Sequence, residues 1–117
     1  MNRPRNSERP GVNLRFFMHS DARHDGMLLS DWLLQQARRE HLAGGSVFRA
    51  IAGFGRHGVL HEEAFFELAG KQPVVVEFVL EETDAVRFLE RVRRAQAELV
   101  YTRTAIQFGV LGKPAAQ

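Results

Sequence analysis

The sequence predicts one α+β domain with the element order β-α-β-β-α-β. Three observations predict it. Segments near residues 12–18 and 74–80 place apolar side chains at every second position, as half-buried strands do. Segments near 28–41 and beyond 81 place them three and four apart, which lines one side of a helix. The chain has 117 residues, enough for one small core.

The elements follow in order. Val12, Leu14, Phe16 and Met18 alternate with Asn13, Arg15, Phe17 and His19 as a first strand. Ser20 to Gly26 reads as a polar turn. From Leu28 to His41, Leu29, Trp32, Leu33 and Ala37 share one helical face. Arg38, Arg39 and His41 suit the negative end of the helix dipole, and Gly44 and Gly45 are expected to stop the helix. Ser46 to Phe54 is β-like, and 55–72 is a long connection. Val74, Val76, Phe78 and Leu80 form the clearest strand. Glu81, Glu82 and Asp84 open a second helix, with Thr83 its expected N-cap and Val86, Leu89 and Val92 its expected buried stripe. Glu90 and Arg94 are a favourable i, i+4 pair. Leu99 to Val110, rich in Thr and β-branched or aromatic residues, is a last strand. This is the ferredoxin-like arrangement: a four-stranded antiparallel sheet with both helices on one face. Residues 1–11 are expected to be a disordered tail, 12–110 the single domain and 111–117 a second tail.

With Leu14, Phe16, Val76 and Phe78 towards the helices, the opposite face is expected to carry Phe17, Val75, Val79, Val47, Ile51 and Tyr101. It would also carry Arg15, Glu77, Arg49 and Arg103. A solvated sheet face alternates more cleanly. An apolar face with charges of both signs fits assembly with other copies.

Composition excludes several classes. An apolar share of 44% and a charged share of 26% are those of a globular domain, and no apolar run approaches the roughly 18 residues of a membrane span. The start lacks an apolar signal core, so a cytoplasmic protein is expected. Cysteine is absent, which removes disulfides, thiolate metal sites and cysteine nucleophiles. The formal charge is +2, and Arg3, Arg5 and Arg9 against Glu8 account for all of it. The folded part is therefore neutral, without the basic face of a nucleic-acid binder. Walker and Rossmann motifs are missing, and Ser20, Ser30 and Ser46 lack a nucleophile elbow. No enzyme activity is expected and no catalytic residue is assigned. His57 and His61 are four apart with Glu62 and Glu63 beside them, but Gly58 between them breaks the helix that would align them, so no metal site is assigned.

GFGRHG, residues 53–58, is the most informative stretch. Glycines let the backbone curl so that consecutive N–H groups converge on an anion, and Arg56 adds a planar cation. The same glycines also serve a bulge or turn with no ligand. AGGSVFRAIAGFGRHG, residues 43–58, and PVVVEFVLEE, residues 73–82, in this element order resemble the PII signal-transduction family. Closer still is the similarity to its relative, domain-of-unknown-function family 190. The likeness runs from about Val12 to Val110. It implies a homotrimer with the sheets inward and an adenine nucleotide (ATP, ADP or AMP) held between subunits. It also implies a loop after GFGR that touches a membrane transporter, channel or enzyme. Carried over residue by residue, Gly53, Phe54, Gly55, Arg56 and His57 are the expected ligand-binding residues, His57 standing where PII proteins commonly have Gln. The Gly- and Lys-rich phosphate loop of PII proteins is replaced by RRAQAELVYT, residues 93–102, which has neither residue.

The 55–72 connection is long for a hairpin, as functional loops are. Phe65, Phe66 and Leu68 within HEEAFFELAG form its expected partner contact. Two alternatives stand beside the regulatory reading: a ligand-free interaction module, and a divalent-metal-binding protein of the copper-tolerance type, a structural cousin of PII.

Overall fold

The computed structural model describes residues 8–52 and 72–112. In chain order these form β1 (Arg9–His19), β2 (Arg23–His24), β3 (Met27–Leu28), α1 (Leu29–Arg39), β4 (Ser46–Arg49), β5 (Pro73–Leu80), α2 (Glu82–Arg94) and β6 (Val100–Phe108). The main sheet is antiparallel with the order β4-β5-β1-β6, and β2 and β3 make a separate two-residue hairpin. Both helices lie on one face, so the α+β, ferredoxin-like expectation holds.

The core is the layer between sheet and helices. Val12, Leu14 and Phe16 of β1 and Val76, Phe78 and Leu80 of β5 meet Leu29, Trp32, Leu33 and Ala37 of α1 and Ala85, Phe88, Leu89 and Val92 of α2. Phe16, Phe78 and Phe88 pack edge-to-face, with centroids 5.2–6.2 Å apart. Each such side chain contributes about 1.5–3 kcal/mol by burial. The stripe of α2 therefore runs through Ala85 and Phe88 rather than Val86, which is half exposed.

Gln36 is buried in this layer. Its side-chain oxygen accepts from Arg91 Nε at 3.2 Å and Nη2 at 3.0 Å, so one polar contact joins the two helices. Arg87 of α2 adds a second link, donating to Glu40 Oε1 at 3.1 Å.

Several boundaries differ from expectation. β1 begins at Arg9, and Arg9, Pro10 and Gly11 pair with Phe108, Gln107 and Ile106; three residues of the expected tail belong to the sheet, and Arg9 is held by Glu81 at 3.3 Å. β4 ends at Arg49 and β6 at Phe108, both short of expectation. The polar turn at 20–26 contains the β2–β3 hairpin, turned by Asp25 and Gly26 at positive φ. α1 ends at a left-handed His41 (φ 60), not at Gly44: His41 N–H donates to Arg38 O and Leu42 N–H to Ala37 O, a Schellman closure. Likewise α2 is capped by the backbone of Glu81 without a side-chain bond, so Thr83 lies inside the helix.

Candidate functional site

The segment with the expected ligand residues follows β4 and precedes β5 in the chain, and backbone bonds pin the described stems on either side of it. Ala50 N–H donates to Pro73 O at 2.8 Å, and Ser20 N–H donates to Gln72 O at 2.6 Å. Gln72 N–H in turn donates to Ser20 Oγ at 3.0 Å. Gly53, Phe54, Gly55, Arg56 and His57, and the loop residues Phe65, Phe66 and Leu68, lie outside the described residues.

Beside these stems is an open cavity of about 410 Å³, lined by Ser20, Leu28, Ser30, Val47, Arg49 and Val74. That volume is in the range of small-molecule sites. One wall is the start of α1, whose first turn has no side-chain cap. Arg49 is its cation. Among the described residues Arg49 makes no ion pair. Sequence reading missed this cavity because it placed Val47 and Arg49 on the wrong side of the sheet.

Pairing register makes that correction. Directly opposed residues of antiparallel strands share a face. Val47 is opposite Val76 and Arg49 opposite Val74; Tyr101 is opposite Phe16 and Arg103 opposite Leu14. All four therefore lie on the helix side. The Tyr101 and Phe16 rings lie with centroids 6.2 Å apart, and Arg103 pairs with Glu82 of α2 at 2.7 Å. Ile51 lies beyond β4 and is 94% exposed. Phe17, Val75, Val79, Arg15 and Glu77 are on the open face as expected, joined by Phe48.

At the centre of the open face Arg15 Nε donates to Glu77 Oε2 at 2.7 Å, and Asn13 Nδ2 donates to the same oxygen at 3.2 Å. The Arg15 bond, then the Asn13 bond, hold the Glu77 carboxyl below its ordinary pKa. Glu77 and Glu81 thus have partners, Arg15 and Arg9, within the described chain.

The connection where PII proteins carry their phosphate loop is short. α2 closes on Ala95, Gln96 stands at φ 59, and β6 begins at Val100. Gln96 thus takes a left-handed position that glycine usually fills. Among the described residues no three His, Asp or Glu side chains cluster as a metal site would need, and no helix is long and apolar enough to cross a membrane.

Comparisons with known proteins agree with this architecture. A UPF0166 protein of Aquifex aeolicus is 39% identical over 80 residues, covering 68% of this chain and 76% of that one. A second UPF0166 protein, from Methanocaldococcus jannaschii, is 28% identical over 79 residues, covering 68% of this chain and 72% of that one. Among solved structures, CPII of Thiomonas intermedia K12, a nitrogen regulatory PII-like protein bound to ADP, AMP and bicarbonate, superposes with a TM-score of 0.60. It is 15% identical, and the match covers 93% of this chain and all of CPII. The model of the DUF190 family, described as Uncharacterized ACR, COG1993, matches residues 11–108. With the βαββαβ sheet and these matches together, the chain belongs to the DUF190 family and shares the fold of PII-like proteins.

Proposed function

We propose that this protein is a trimeric PII-like regulator that binds a small anion, an adenine nucleotide first among candidates, in a cleft between subunits. It acts on a protein partner, a membrane transporter, channel or enzyme, through the 55–72 loop. It is not an enzyme, and it does not act on nucleic acid. In this reading Gly53, Phe54, Gly55, Arg56 and His57 line the cleft, with Arg56 on the anion. Phe65, Phe66 and Leu68 meet the partner. Residues 9–110 form the working domain, in the cytoplasm.

The observation that carries this reading is the cavity with Arg49 at the pinned stems, immediately before GFGRH in the chain. A cation beside a helix start that lacks a side-chain cap suits a phosphate or carboxylate. The fold shared with CPII, which is bound to ADP, AMP and bicarbonate, supports a nucleotide as occupant. The ligand shifts the loop only by its differential affinity for one loop conformation.

Isothermal titration with ATP, ADP and AMP tests the reading. Binding of at least one is expected, and Arg56→Ala should weaken it by about 1.5–3 kcal/mol, the worth of a charged hydrogen bond. Silence from all three overturns nucleotide binding.

A further inference from the structure

The described chain holds few cations that a ligand could use. Arg9, Arg15, Arg87, Arg93, Arg94 and Arg103 each pair with a carboxylate at 2.7–3.6 Å. A phosphate approaching any of them also meets that carboxylate. Arg91 is spent on Gln36, and Arg23 donates to Gly26 O within its own hairpin. Arg38 and Arg39 stand in the last turn of α1, roughly 13 Å from its start at 1.5 Å per residue. Arg49 is therefore the cation available at the cavity beside the stems, facing the apolar Leu28, Val47 and Val74.

Backbone donors are scarce too. In the link from α2 to β6, Ala95 N–H and Gln96 N–H donate back to Arg91 O and Arg93 O. Ala95, Ala97 and Leu99 pack against the core. The link thus closes a helix and carries neither glycine nor lysine, unlike a cradle for successive phosphates. At the cavity, the first amide of α1, Leu29 N–H, is spent on Ala22 O. The segment between the stems adds no surplus of positive charge. Over residues 53–71, Arg56 and Lys71 stand against Glu62, Glu63 and Glu67, a formal excess of one negative charge.

We infer that the cavity beside Arg49 accepts a single phosphate group, so that its ligand is a nucleoside monophosphate and the triphosphate is selected against. The inference rests on the nucleotide binding proposed above and narrows its ligand class. The planar fork of Arg49 matches one phosphate group. The apolar wall of Leu28, Val47 and Val74 suits a base or sugar rather than more charge. Each further phosphate brings negative charge with no described cation to meet it, next to a segment that is itself acidic on balance. Like charges held together without a counter-charge cost affinity.

Isothermal titration of the full chain with adenosine, AMP, ADP and ATP, in EDTA and at one ionic strength, tests this. AMP should bind about tenfold tighter than adenosine, the worth of a charge-assisted hydrogen bond. ATP should bind about tenfold weaker than AMP, from its unmatched charge. Arg49→Gln breaks no ion pair among the described residues, and circular dichroism checks that it is folded. It should bring AMP down to the affinity of adenosine and leave adenosine unchanged. ATP binding as tightly as AMP or tighter overturns the discrimination and leaves nucleotide binding standing. AMP affinity unchanged in folded Arg49→Gln overturns the cavity as the phosphate site. Silence from all four overturns nucleotide binding itself.

Discussion

Gly45 shows how a residue can be read for the wrong reason. In the sequence it pairs with Gly44 as a helix stop; in the structure a Cβ there would run into the Phe78 ring and lie 3.3 Å from Leu34 Cδ2. Gly45→Ala should therefore cost about 1–3 kcal/mol by overpacking. A lower urea midpoint at constant m checks it. Glu77 offers a second residue-scale expectation. Its folded pKa is lowered, chiefly by Arg15, so its contribution is full above the ordinary carboxylate pKa and is lost as pH falls through the depressed value. Acid titration of stability should show this loss in wild type, and Glu77→Gln should remove that part of the slope. The assignment of Glu77 to the open face was legible from alternation in β5. The placing of Arg49 on the helix side was not, because four residues of an edge strand fix no face until Val47 meets Val76.

The helices were legible as elements and misjudged at their ends. Period fixed the face of α1, since Leu29, Trp32, Leu33 and Ala37 are all buried. Gln36 was invisible to that pattern because its burial depends on Arg91 from the other helix. Arg91→Met should leave the buried Gln36 oxygen unpaired and cost about 1–3 kcal/mol, while adding Gln36→Leu should recover most of it. Thermal melts of the two single variants and the double give the coupling. The hairpin between β1 and α1 did carry a signal, Asp25-Gly26, the residue pair that tight hairpins favour. It was missed because only two residues on each side pair, too few to show alternation.

At the scale of the molecule, element order was readable because strand and helix periods differ. Sheet order follows from the split arrangement, but exact pairing needed the structure. Register is also what places Arg9, Pro10 and Gly11 in the sheet rather than in a tail. Deleting residues through Gly11 should lower the melting temperature by about 4–8 °C relative to deletion through Glu8, the shift that about 1 kcal/mol produces in a domain of this size. The expected ligand segment was legible only as glycine chemistry and a resemblance, since what glycines enclose depends on neighbours that local sequence does not encode.

The chain has a single tryptophan. Trp32 is 5% exposed within the core and touches the His24 ring of the hairpin at 4.4 Å. One indole therefore reports on two events without any label. Opening of the helix–sheet layer should red-shift its emission, and detachment of the hairpin alone should change intensity through the neighbouring imidazole at nearly constant wavelength.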